Sequence, residues 1–160
     1  MKKFILLMLF LCSYSFAFEK ISIGYGGDTN DVELYNIALH QNLDYQLIDN
    51  TNLTLEVSAE YVNGKDDDLF IISTQPMLSY DITDKLYIEG GVGIAYFSEN
   101  KLDEKRFGMS FQFKESLGFG YRFSENLEST LKYTHYSNAD LDKNENTGLD
   151  LVMLKLVYKF

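Results

Sequence analysis

Cysteine is nearly missing from this chain: one in 160 residues, Cys12, within the apolar start. Disulfides therefore hold nothing together. Proline occurs once, and beyond residue 17 no stretch is long and apolar enough for a transmembrane helix. Basic residues are outnumbered, 14 Lys and Arg against 24 Asp and Glu, for a formal charge of −10. Such a chain repels nucleic-acid phosphate rather than releasing its counterions, so no nucleic-acid partner is expected. Histidine occurs only twice, and no metal-ligand spacing appears, so neither a metal nor another cofactor is expected.

The first seventeen residues read as a secretory signal. Lys2 and Lys3 form its positive start, residues 4–12 its short apolar run, and Ser15-Phe16-Ala17 its small-residue cleavage site. A lipoprotein signal at Cys12 is disfavoured, because Leu11 before it is bulky where that cleavage wants a small residue. Two domains of unequal kind follow: a signal peptide, 1–17, and a single folded domain, 18–160. The signal carries two lysines and no acid, so its removal takes the formal charge from −10 to −12.

What the chain does have is twelve Tyr, twelve Phe and eleven Gly, a composition that favours strands over helices. Period-2 alternation recurs in eight segments: about 19–27, 33–44, 53–61, 69–80, 85–97, 111–123, 127–138 and 149–160. The third is clearest, with Leu53, Leu55, Val57, Ala59 and Tyr61 alternating against Thr54, Glu56, Ser58 and Glu60. Without a spanning helix, a membrane location requires closed strands, since lipid offers no partners to a sheet edge. The reading is an all-β, eight-stranded antiparallel transmembrane β-barrel of the bacterial outer membrane.

The connections alternate in character. Turns at 81–85 and 124–126 are short, whereas 63–68, 98–106 and 139–148 are more charged and mostly longer. With both termini in the periplasm, the second set lies outside the cell. The last strand runs Val152, Leu154, Leu156, Tyr158, Phe160 on one face, and its terminal aromatic resembles the C-terminal signal of outer-membrane barrels. Eight strands leave no room for a channel. Glu56, Glu60, Lys155 and Lys159 are expected to pair inside.

Chemistry gathers at one end. His40 shares parity with Asn36 and Ala38 and reads as an interior or loop-proximal polar residue. His135 and Ser137 are two apart on the seventh strand, so they share a face, and that face carries Leu127, Leu131 and Tyr133, the lipid side. Asp150 has the parity of Val152 to Phe160, again the lipid side. Hairpin pairing brings His135, Ser137 and Asp150 together on the outer wall near the extracellular rim. Polar groups there are unfavourable, though little so at the interface, where rim residues bathed in headgroups are the plain alternative. A serine hydroxyl needs a base to become a nucleophile. His135 can be that base, with Asp150 orienting it and Asn138 or Asn146 donating to an oxyanion or positioning the site.

The run His135-Tyr136-Ser137-Asn138-Ala139, then Asn146-x-Gly148-x-Asp150 and an aromatic-terminated strand, resembles the lipid A 3-O-deacylase family. Phe111-Gln112-Phe113 and Gly118-Phe119-Gly120-Tyr121-Arg122-Phe123 resemble it too. The likeness implies an eight-stranded barrel, lipopolysaccharide as substrate, hydrolysis of the ester-linked acyl chain at the 3-position of lipid A, and a triad on Ser137, His135 and Asp150. Two positions depart from the resemblance: Asp150 stands where a family example carries glutamate, and Asp140 stands where the family often has a glycine whose backbone N–H serves the oxyanion. A homodimer covering part of the outer wall is one way to gate such a site. The competing class is a non-catalytic barrel, an adhesin or membrane-stabilising protein using acidic loops such as Asp66-Asp67-Asp68 and Asp103-Glu104.

Overall fold

The computed structural model describes residues 18–29, 31–141 and 145–160; the expected signal at 1–17 lies outside them. Eight long strands close into a barrel: β1 Lys20–Gly27, β2 Glu33–Asn42, β3 Thr51–Asn63, β4 Asp68–Asp81, β5 Leu86–Phe97, β8 Phe111–Arg122, β9 Leu127–Ser137 and β10 Leu149–Lys159. Two further strands, β6 Lys101–Leu102 and β7 Lys105–Arg106, form a small hairpin inside the β5–β8 connection. Neighbours in the barrel run β1-β10-β9-β8-β5-β4-β3-β2, all antiparallel, and the β1–β10 pair closes the ring. The expected strands therefore stand to within two residues at each end. The largest differences are at β3, which extends two residues beyond its recognisable alternation on either side, and at the end of β2, which stops two residues short.

Alternation explains the closure. On β3, Glu56, Ser58 and Glu60 are buried inside, while Val57, Ala59 and Tyr61 point out. Outward residues form an apolar belt that includes Ile23, Ile37, Ile72, Val92, Leu117, Leu131 and Leu154, all exposed. Aromatic rows bound the belt. Tyr25, Tyr35, Tyr61 and Phe70 lie in register across four strands at one end, and Tyr121, Phe123, Tyr158 and Phe160 stack in two pairs at the other. An apolar band between aromatic girdles is the surface of a membrane-spanning barrel.

The interior is filled in two parts. Toward the termini it is ionic. Glu56 accepts from Lys132 Nζ at 2.9 Å and Lys155 Nζ at 2.5 Å, and Glu60 from Lys114 Nζ at 2.9 Å. Lys159 does not join this network. It is the last strand residue, where β10 clears the barrel mouth, and its side chain is exposed with no ion pair to a described residue. Lys114 and Lys132, fully buried, take the places the interior needed filled. At the far end the interior is apolar, closed by Leu102, Phe107, Phe97, Tyr136 and Leu149. Phe107 comes from the β5–β8 connection and meets Phe97 edge-on at 5.0 Å. That plug makes the outer ends of β9 and β10 a rigid wall. One connection departs from the expected rhythm: 43–50, on the side of the termini, is eight residues long.

Candidate active site

The last turn of β9 alternates inward and outward. Tyr136 points in, is fully buried, packs on Phe97 at 5.3 Å and donates its O–H to Glu60 at 2.7 Å. Asn138 points in as well, its Nδ2 donating to the carbonyls of Phe107 and Glu145, both at 3.0 Å. Ser137 is held between these two anchors and can only point out. His135, two residues earlier, shares its face.

β10 supplies the acid. Asp150 sits opposite His135 in the antiparallel register, and His135 Nδ1 lies 2.8 Å from Asp150 Oδ1. A carboxylate only accepts, so Nδ1 carries the hydrogen and Nε2 presents its lone pair. The same Asp150 oxygen accepts the Tyr133 O–H. Tyr133 is not among the residues the sequence motif marks. Its signal is parity, since it lies two residues before His135 on the same wall with a hydroxyl long enough to reach the acid. Among the described residues no hydrogen bond joins Ser137 Oγ to His135. Nucleophile–base contacts are commonly loose until substrate fills the site.

Gly148 places the chain over the imidazole. Its φ is +70°, and a Cβ there would stand 3.2 Å from His135 Cε1, so only glycine suits both the backbone and the approach. The described residues on both sides of 142–144 are braced as well. Asn146 Oδ1 accepts the Asn138 N–H at 3.1 Å, and Asn146 Nδ2 donates to Asp140 Oδ1 at 3.0 Å. Thr147 exchanges two hydrogen bonds with the backbone of Arg106 on β7. Ala139 and Asp140 both have left-handed φ, 52° and 58°, the conformation for which glycine is the usual choice. Their N–H groups donate to no described residue. Asn138 thus has both amide hydrogens spent on carbonyls, whereas Asn146 has one amide hydrogen that meets no acceptor among the described residues.

Two other features are placed by the same geometry. Ser22 Oγ and His40 Nε2 lie 2.9 Å apart, with Glu56 Oε2 3.8 Å from His40 Nδ1. This second Ser–His–Glu set is inside the barrel, where Ser22 is 1% exposed and Glu56 is occupied by lysines, while His40 lines the cavity at the end of the barrel that holds the termini. The acidic outer loops are partly spent on each other. Asp103 accepts the N–H groups of Lys65, Asp66 and Asp67 at 2.9, 2.9 and 3.1 Å, and Lys101 pairs with Asp67 at 2.9 Å.

A family model described as lipid A 3-O-deacylase (PagL) matches residues 35–159. The chain belongs to that family. Among curated members it is 38% identical to a lipid A deacylase PagL of Bordetella bronchiseptica over 88 residues, 55% of this chain and 49% of the relative. It is 32% identical to a lipid A deacylase PagL of Pseudomonas aeruginosa over 82 residues, 49% of this chain and 47% of the relative. The chain thus spans about half the length of the curated relatives it matches. The crystal structure of the outer membrane enzyme PagL superposes with a TM-score of 0.79 at 23% identity, over 88% of this chain and 99% of that one. A de novo designed transmembrane β-barrel reaches 0.61 at 16% identity, over 89% and 95% of the two chains. These last two likenesses speak for the fold.

Proposed function

We propose that this chain, exported by a cleaved signal at 1–17, is an outer-membrane esterase that removes the 3-O-linked acyl chain of lipid A. The observation that carries the reading is the His135–Asp150 pair at 2.8 Å, on the lipid-facing wall beside Ser137, in a member of the lipid A 3-O-deacylase family. A nucleophile on that wall meets substrates from the bilayer and not from solution.

Asp150 accepts the Nδ1–H and so fixes the tautomer in which His135 Nε2 is a base. Nε2 takes the Ser137 proton as Oγ attacks the ester carbonyl carbon. The resulting oxyanion is met by the uncommitted N–H of Asp140 and the spare amide hydrogen of Asn146. Asn138 positions this loop and does not donate from its side chain. The side chain at 140 is no obstacle here, because it turns to Asn146 and its backbone N–H donates to no described residue. The intermediate collapses by breaking the bond to the sugar 3-oxygen, which leaves with the proton from His135. Water, deprotonated by the same nitrogen, then attacks the acyl-Ser137 carbonyl, and the bond to Oγ breaks as His135 returns the proton to it, releasing the fatty acid and restoring the serine hydroxyl. All three groups come from one chain, so a homodimer is not needed to complete the site.

A fluorophosphonate probe tests the nucleophile directly. The intact protein in detergent is expected to gain one phosphonyl mass on the peptide holding Ser137. Ser137→Ala abolishes the adduct and His135→Ala slows its formation by orders of magnitude. Equal labelling of wild type and Ser137→Ala removes Ser137 from its role.

A further inference from the structure

The outer wall holds one more acid that the triad does not use. Glu115 on β8 is exposed and outward-facing, between Phe113 and Leu117 on the same face. It lies four residues from the outer end of its strand, about 13 Å along it at the usual strand rise, and therefore within the apolar belt. In the sheet register Asp150, His135, Glu115 and Val92 form one line across β10, β9, β8 and β5. Glu115 thus stands on the opposite side of His135 from Asp150. It accepts no hydrogen bond from any described residue and pairs with no described lysine or arginine.

A carboxylate facing lipid with no protein partner is unfavourable, so its partner comes from the ligand. The surroundings say which part. Glu115 lines an open groove of about 650 Å³ with Gly91, Val92, Leu117, Tyr133 and His135. Ser137 pairs with Phe113, two residues nearer the rim than Glu115. The groove therefore begins at His135, two residues below Ser137 on the same face, and runs toward the membrane core. An acyl chain whose carbonyl carbon lies at Ser137 has its first few carbons here. Lipid phosphates repel a carboxylate and sit above, and alkyl carbons offer no donor. A hydroxyl on the chain close to the ester does.

We propose that Glu115 is a specificity-determining residue, whose carboxylate accepts a hydrogen bond from a hydroxyl near the ester of the acyl chain being removed. The inference rests on the deacylase reading and deepens it. A site built around such a bond disfavours the chain that lacks the hydroxyl, because the acid is then left unpaired.

The test uses the whole purified protein in mixed micelles and two lipid A-type substrates. They differ only in whether the ester-linked chain carries a 3-hydroxyl. Wild type is expected to favour the hydroxylated chain in kcat/KM. In Glu115→Leu that preference falls about 10- to 100-fold, as for a lost hydrogen bond to a charged group. Glu115→Gln, whose amide oxygen still accepts, retains part of it. Heat-dependent gel mobility of both variants controls for folding, which an apolar residue on this wall favours. An unchanged preference in both variants overturns the proposal. So does an equal loss on both substrates with a displaced pH profile, which would mean that Glu115 acts through His135. If wild type cleaves neither substrate, the deacylase reading itself fails.

Discussion

Asp150 gathers two donors on one oxygen, the imidazole of His135 and the hydroxyl of Tyr133, and the proposed chemistry depends on that oxygen staying a carboxylate. Asp150→Asn keeps the size but offers an amide, which no longer selects the tautomer with a basic Nε2 nor stabilises the imidazolium. Its kcat is expected to fall about 10³- to 10⁴-fold while the barrel stays folded. Asp150→Glu, which keeps a carboxylate on the same strand position, is expected to retain most of the activity. Steady-state kinetics on both variants checks this, and full activity in Asp150→Asn would remove the acid from the mechanism. Much of this residue-scale picture was legible in the sequence, because strand parity alone puts His135, Ser137 and Asp150 on one wall. Parity puts Asn138 on the inner face, but it did not reveal that the side chain spends its amide on two carbonyls. Parity also places Tyr133 on the same wall but does not by itself separate it from the apolar belt, of which a lipid-facing tyrosine otherwise looks like a part.

The elements that hold the site are less regular than the strands. The β6–β7 hairpin is too short for a two-residue period to be seen. Yet through Arg106 it ties down Thr147, and through Asp103 it ties down 65–67. N–H donation from Asp66, Lys65 and Asp67 holds the Asp103 carboxyl below its ordinary value of 3.8. A depressed acid braces the loops fully above its unfolded pKa and releases them as pH falls through the lower folded one. Amide proton shifts of Lys65, Asp66 and Asp67 in micelles are therefore expected to move together with a midpoint below 3.8. In Asp103→Asn that common step is expected to vanish. A midpoint above 3.8 would show that the brace does not favour the ionised form. The strands themselves were legible almost to the residue, because a two-sided environment, lipid outside and packed polar groups inside, enforces alternation at every position.

For the whole molecule, the interior is inverted relative to a soluble protein, with ions within and apolar side chains without. Eight outward runs and a terminal aromatic made the barrel legible. The pairing inside was less so, because Lys114 and Lys132 lie on other strands whose angular position the sequence does not specify. Glu56 is the centre, meeting Lys132, Lys155 and Lys114 within 3.5 Å. Glu56→Gln leaves buried ammonium groups short of counter-charge and is expected to lower stability by about 3–5 kcal/mol. The measurement is the urea midpoint of the heat-modifiable band, and an unmoved midpoint would contradict an ion-held core. The central claim concerns the outer wall, and lipid A itself reports on it. Mass spectrometry of lipid A from cells expressing the wild type is expected to show loss of one 3-O-linked acyl chain, and from cells expressing Ser137→Ala no loss. An unchanged mass with folded, membrane-inserted wild type, or the same loss with Ser137→Ala, would contradict it.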